Sequence, residues 1–146
     1  MSALALSMVV GIVKLDIIGI QPANAQLNSS RNISQKVYDK IPDFPRENQY
    51  RSRDTGKVAT DNTLVSRMIR YHYYQKGRAP NYRFDWKLTL ADYLGANEVM
   101  YDSYYPGQDG LRKNPLAGVR KAIKKLSRKE RNIFMQTLVD LLSGNQ

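Results

Sequence analysis

The side chains that could carry acid–base or nucleophilic chemistry are few in this chain of 146 residues. It contains one histidine, His72, and no cysteine, which excludes thiolate nucleophiles, cysteine-ligated metals and multi-histidine metal sites within one chain. His72 can be combined with Ser66 or Ser103 and an aspartate as a hypothetical triad. However, the sequence lacks the Gly-x-Ser-x-Gly turn that exposes a serine nucleophile. The glycine-rich phosphate-binding motifs are also missing.

The carboxylates in the middle of the chain have no spacing that distinguishes a general acid from a general base. They are Asp85, Asp92, Glu98, Asp102 and Asp109. Isolated acids of this kind are typical of helix caps and surface charges, whereas glycoside hydrolysis uses a matched pair of carboxylates. We therefore predict a protein that is not an enzyme, with no catalytic residue, no bound cofactor and no metal site.

Positive charge is the chemical feature that stands out. The chain has 23 basic and 13 acidic residues, a formal net charge of +10 at pH 7. Glu130 is the one acid in the basic run at 112–131. Such a surface attracts acidic proteins, anionic lipids or nucleic acids. The basic residues predicted to bind a partner are Arg120, Lys121, Lys124, Lys125, Arg128 and Lys129.

A tyrosine-rich loop precedes this basic run. Tyr104 and Tyr105 are followed by Pro-Gly and Asp-Gly, two pairs that favour turns. Tyrosine gives a large contact area at small entropic cost, so we predict Tyr104 and Tyr105 as further partner-binding residues. A turn with a purely structural role is the alternative.

Two amphipathic helices must position the basic residues. Asn114-Pro115 reads as the start of the first helix, although Gly118 conflicts with helical propensity. Ser127 and Glu130 form a capping-box pattern that begins the second helix, and Gly144 marks its end. Each helix carries an apolar stripe that it cannot bury alone, so both must pack on upstream parts of the chain.

The middle of the chain is rich in aromatic and basic residues. We expect a helix that is capped by Thr60 or Asp61 and ends before Gly77. A short strand is expected within 82–88, and a further helix start at 89–92. Aromatic rings among cations could form a single-stranded nucleic-acid platform, or they could be the core and its rim.

The first residues resemble an export signal. An apolar run at 4–13 is followed by Ala23 and Ala25, the small residues that signal peptidase requires, so we predict cleavage after Ala25. Lys14 and Asp16 interrupt the apolar stretch. An uncleaved anchor and an ordinary N-terminal helix are the alternatives. We expect residues 26–59 to be an extended or partly disordered arm that Phe44 pins onto the core, and residues 60–146 to form a basic helical domain.

The sequence as a whole predicts a mostly α-helical domain of four to five short helices after the extended arm and the export signal. The function expected is that of a small exported accessory protein in the periplasm, the thylakoid lumen or the medium. Its basic helical face would dock on an acidic protein complex or an anionic membrane surface. The alternative is a cytoplasmic nucleic-acid-binding module that uses the same basic, tyrosine-rich surface.

Overall fold

A computed structural model describes residues 23–144 of the protein. This part is mostly α-helical with five helices and no strand, which confirms the predicted fold class. A π-helical turn, Tyr71–Gln75, extends the second helix, and Asp102–Tyr104 form a 3-10 turn. The five helices are α1 (Ala23–Lys40), α2 (Leu64–Arg70), α3 (Arg83–Tyr93), α4 (Leu116–Lys125) and α5 (Arg128–Leu142).

The helices surround one apolar core. Helix α1 packs on α2 and α5, and α3 packs on α4 and α5. Phe44, in the loop after α1, stacks on Phe134 of α5 with ring centroids 4.1 Å apart, as the arm prediction anticipated. Among the most deeply buried core residues are Val37, Tyr38, Leu64, Val65, Trp86, Tyr93, Val119, Ile123, Phe134 and Leu138.

Residues 26–40, expected to be extended, instead belong to helix α1, so this part of the arm prediction is wrong. The inner face of α1 carries Ser30 and Ser34 as well as Val37 and Tyr38, and all four side chains are buried. The Ser34 hydroxyl lies 2.6 Å from the Thr63 hydroxyl, which satisfies both groups inside the core. Apolar residues do recur at helical spacing in this segment, but the many Asn, Ser and Gln residues among them give it the composition of a solvated linker.

The predicted export signal, 1–25, lies outside the described residues except for its last three. Those three residues begin α1 in the structure. The signal and its cleavage after Ala25 therefore stay predictions.

The segment 41–63 is irregular and is bound to α1 and α2 through its main chain. The Tyr38 hydroxyl donates to the carbonyl of Pro45 at 2.8 Å, and the amide of Leu64 donates to the carbonyl of Arg46 at 2.7 Å. Arg67, which is wholly buried, donates from Nη2 to the carbonyl of Glu47 at 2.6 Å. The segment is thus ordered by hydrogen bonds without strands of its own.

Two local predictions in the middle of the chain are wrong. Helix α2 is capped by Thr63 through a capping box with Ser66, and neither Thr60 nor Asp61 caps it. Helix α3 begins at Arg83, directly after Tyr82, so it takes up most of the segment 82–88 that we expected to be a strand, and it also covers the helix start expected at 89–92. Thr89 and Asp92 are buried and form hydrogen bonds with His72 and Arg78, so these side chains do not cap a helix.

The predicted C-terminal helices are confirmed by the structure. Asn114 Oδ1 accepts from the amide of Leu116 at 3.0 Å, and Ser127 and Glu130 form the expected capping box. The structure also explains Gly118. A Cβ there would overlap the Tyr50 hydroxyl and lie 2.7 Å from a Glu47 carboxylate oxygen. Glycine therefore lets the 41–63 segment approach the α4 backbone.

Candidate docking surface

Helix α4 separates its apolar and basic residues onto opposite sides. Leu116, Val119 and Ile123 are buried in the core. The exposed lysines of α4 and the exposed cations that begin α5 together form what we call the basic face. Its members are Lys121, Lys124, Lys125, Arg128 and Lys129. Within residues 23–144, none of the five forms an ion pair with a carboxylate.

The charge of the basic face partly opposes local helix stability. Lys124 and Lys125 lie in the last turn of α4, where the interaction of a cation with the helix dipole is favourable. Arg128 and Lys129 lie in the first turn of α5, where a cation is unfavourable by about 0.3–1 kcal/mol, and Glu130 offsets only part of this. Cations kept at an unfavourable position are the pattern expected when a surface has a binding role.

Two open grooves flank the α4 lysines of the basic face. The first, which we call the basic groove, encloses about 620 Å³. Its lining residues are Asp102, Leu116, Ala117, Arg120, Lys121, Lys124 and Lys125. The second encloses about 600 Å³ between α4 and the 41–63 segment, and it includes Glu47 and Glu130. Lys121 and Lys125 line both grooves and so form the ridge between them.

Arg120 has a different position from the lysines. It is half-buried, and its Nε donates to the carbonyl of Tyr93 at the end of α3, at 3.3 Å. A cation at a helix C-terminus satisfies a free carbonyl and the helix dipole together. Arg120 therefore holds α3 against α4, although its side chain also lines the basic groove.

The two predicted tyrosines differ in exposure. Tyr104 is 70% exposed, whereas Tyr105 is only 2% exposed, so Tyr105 cannot contact a partner as predicted. The Tyr105 hydroxyl lies 2.9 Å from the Tyr93 hydroxyl within the core. Sequence reasoning missed Val99 and Tyr101, which are 66% and 64% exposed. The one signal in the sequence that could have identified Val99 and Tyr101 is that they are apolar and do not fit the apolar stripe of any helix.

The exposed apolar side chains border a third depression, which we call the aromatic cleft. It encloses about 300 Å³. Its lining residues are Tyr71, Gln75, Lys76, Val99, Met100, Tyr101 and Tyr104. The 3-10 turn Asp102–Tyr104 contributes Tyr104 to this cleft and Asp102 to the basic groove. The turn is thus a wall common to both depressions.

The residues considered for a triad do not meet in the structure. His72 is wholly buried, Nε2 lies 2.8 Å from the carbonyl of Ala79, and Nδ1 lies 2.7 Å from the Thr89 hydroxyl. A carbonyl only accepts, so Nε2 carries the proton and the Thr89 hydroxyl donates to Nδ1. Ser66 bonds within the α2 cap instead, and Ser103 is exposed.

The same buried network contains an ion pair. Arg78 Nη1 lies 2.7 Å from Asp92 Oδ2 and also donates to the Thr89 hydroxyl at 2.8 Å. Burial alone would raise the pKa of Asp92, but hydrogen bonds from Arg78, the amide of Glu98 and the Tyr71 hydroxyl outweigh it and lower that pKa. The network joins the π-helical turn to α3 with its polar groups satisfied, which is a structural arrangement.

Burial also lowers the pKa of His72 to about 4, and the nearby Arg78 charge acts in the same direction. The ring is therefore neutral at physiological pH. Neither His72 nor Thr89 lines one of the depressions described above. A buried imidazole without access for a substrate supplies no acid–base chemistry to the surface.

Residues 23–144 contain no cluster of three or more histidine, aspartate or glutamate side chains arranged to hold a metal ion. In the same range, no helix has both the length and the apolar character needed to cross a membrane. No known protein family, curated protein or solved structure shows significant similarity to the chain.

Proposed function

We propose that this protein is a small, non-enzymatic, exported accessory protein that docks through its basic face on an acidic surface of a protein complex. The observation that carries the proposal is the row of exposed lysines on α4, continued by Arg128 and Lys129, without carboxylate partners in the described chain. Unpaired cations on a rigid helix keep their charge available for a partner.

The carboxylates near the basic face are more compatible with a protein partner than with a uniform polyanion. Asp102 lines the basic groove, and Glu47 and Glu130 line the groove on the other side of the lysine ridge. A phosphate backbone would be repelled by these carboxylates. A protein surface can place its own cations opposite them.

Insertion into a lipid bilayer is disfavoured by the burial of the apolar stripe of α4. An interfacial helix binds by placing its apolar face among the acyl chains. In α4 that face consists of Leu116, Val119 and Ile123, which are packed in the core. A membrane contact made by α4 itself would therefore have to rely on charge alone.

Export is the second part of the proposal and depends on the sequence of the first 25 residues. The test is the intact mass of the protein recovered from fractionated cells of its own host. We expect a mature form that begins at Gln26 and is found outside the cytoplasm. A full-length form in the cytoplasm would contradict export and make a nucleic-acid partner the leading candidate.

Charge reversal tests the docking part. The variant Lys121→Glu/Lys124→Glu/Lys125→Glu should release the protein from the complex with which the wild-type chain co-sediments. The matched control is Lys36→Glu/Lys40→Glu/Lys57→Glu, three exposed lysines elsewhere that undergo the same change in charge. Release of both variants would indicate an effect of net charge, and release of neither would refute the assignment of the basic face.

A nucleic-acid-binding module is the second candidate, because exposed Tyr101 and Tyr104 lie on either side in sequence of Asp102, which lines the cationic groove. Aromatic rings and cations together bind single strands, with an affinity that falls steeply as salt increases. Titration of the full chain with single-stranded DNA and RNA at two salt concentrations tests it. Absence of binding near physiological salt would eliminate this candidate.

A further inference from the structure

The aromatic cleft and the basic groove lie on the two sides of one short turn. From this arrangement we infer that the partner is a protein segment with clustered carboxylates and one apolar anchor side chain, bound across the 3-10 turn Asp102–Tyr104. The carboxylates meet the α4 lysines, and the anchor enters the cleft beside Tyr104. This inference rests on the proposed function and specifies the chemistry of the partner.

The exposed apolar side chains in and before the turn are evidence that the partner has an apolar anchor. Val99, Tyr101 and Tyr104 are each more than 60% exposed, although they are separated by only one or two residues in the chain. Large apolar side chains scattered singly over a surface need no explanation, but a contiguous group marks an interaction site. Buried Met100 forms part of the cleft between them, so a bound side chain would contact apolar atoms beneath as well as beside it.

The distribution of charge between the two depressions indicates which part of the partner segment binds in each. The basic groove has four cationic side chains and the single acid Asp102, which belongs to the turn that also contributes Tyr104 to the cleft. A partner is therefore attracted by its carboxylates on the α4 side of the turn. The aromatic cleft has Lys76 at its edge, but Glu98 pairs with that lysine at 2.6 Å, so the cleft itself has little free charge.

The turn is short enough for one segment to reach both depressions. The 3-10 turn has three residues, and a helical turn with its side chains is on the order of 10 Å across. Three to four residues of an extended chain, or about two turns of a helix, span that distance. The side-chain Nδ2 of Asn114 donates to the carbonyl of Asp102 at 2.9 Å and fixes the turn against the start of α4.

The test uses the full chain and two fluorescent peptides. One peptide contains only glutamate and alanine, and the other has one alanine replaced by tryptophan. We expect both to bind at physiological salt, with the tryptophan peptide binding about tenfold more tightly. Tyr104→Ser should abolish this tenfold difference and leave the affinity for the glutamate–alanine peptide unchanged. The control Tyr82→Ser, at a residue 62% exposed and outside the cleft, should preserve the difference.

The outcomes separate this inference from the proposed function. Lys121→Glu/Lys124→Glu/Lys125→Glu should weaken both peptides by more than about tenfold. If neither peptide binds, the proposed function fails as well. If both bind equally through the lysines, or if Tyr82→Ser acts like Tyr104→Ser, only the anchor is refuted. Tighter binding of an oligothymidylate or of phosphatidylglycerol vesicles than of the tryptophan peptide would also overturn the inference.

Discussion

The imidazole of His72 stacks on the indole of Trp86 with ring centroids 3.6 Å apart and planes 4° from parallel. The π-helical turn Tyr71–Gln75 brings His72 to this position at the end of α2. Such turns are rare and are often kept where a side chain must be redirected. Here the redirected side chain is a buried, neutral histidine with both nitrogens hydrogen-bonded.

This histidine should make folding stability depend on pH. Burial lowers the pKa of His72 from 6.5 to about 4, so between these values the unfolded chain binds a proton that the folded chain does not. The contribution of His72 to the free energy of unfolding is therefore fully present above about pH 6.5, and it is lost as the pH decreases towards 4. From pH 7.5 to 5.0 we expect a loss of about 2 kcal/mol in urea unfolding.

His72→Gln is the control for this pH dependence, because the chain has no other histidine. The variant should be less stable at neutral pH but should lose the slope between pH 7.5 and 5.0. A wild-type unfolding free energy that stays constant over this window would contradict the prediction.

The contact between Tyr50 and Gly118 leads to a second prediction. Gly118→Ala in a helix interior would ordinarily stabilise by up to about 1 kcal/mol. Here we expect destabilisation by about 1–3 kcal/mol, because the new Cβ would overlap the Tyr50 hydroxyl. Thermal or urea unfolding measures it. Gly110→Ala, where no atom lies within 4 Å, should have little effect, and adding Tyr50→Phe should recover part of the loss.

The third prediction concerns the buried pair of Arg78 and Asp92. Asp92→Asn should destabilise the fold by about 3 kcal/mol, because the Arg78 side chain is only 10% exposed and would keep only the exposed carboxylate of Glu98, 3.3 Å from Nη2, in place of its buried counter-charge. Urea unfolding at pH 7 gives the free energy. Asp54→Asn, at an exposed turn, is the control and should change stability by less than about 0.5 kcal/mol. Equal effects of the two substitutions would argue against the pair.

The fourth prediction concerns the capping box of α5. The Ser127 hydroxyl accepts from the amide of Glu130 at 3.1 Å, and a Glu130 carboxylate oxygen accepts from the amide of Ser127 at 3.3 Å. Ser127→Ala should cost about 1 kcal/mol in unfolding free energy, whereas Ser127→Asp should retain most of the stability. A loss of the same size in both variants would show that the cap is not the cause.

The C-terminal helices could be predicted from the sequence because their signals are local. A serine three residues before a glutamate, and a glycine after the last apolar residue, fix helix ends through bonds between near neighbours in the chain. Helix α1 was missed because its segment is rich in Asn, Ser and Gln, a composition typical of a solvated linker. The hydroxyl of Ser34 is accommodated in the core by its bond to Thr63, 29 residues further along the chain, and the local sequence does not indicate such a distant partner.

Only part of the candidate surface could be predicted, namely the part that lies on a helix. Lys121, Lys124 and Lys125 had to be exposed once α4 existed, because its apolar stripe occupies the other side. Tyr104 and Tyr105 are neighbours of the same type, and only tertiary packing decides that one is exposed and the other buried. Orientation within an irregular loop has no period that a sequence can reveal.

Arg67 has a consequence for how the molecule opens. It is wholly buried, and among the described residues it has no carboxylate partner, so its charge is held by carbonyl groups of Glu47 and Asn62. If the 41–63 segment detached alone, the guanidinium would lose these acceptors together with the Tyr50 ring, whose centroid lies 5.5 Å from it. The segment and α2 should therefore unfold as one unit, and their amide hydrogens should exchange with solvent together although the segment has no regular secondary structure.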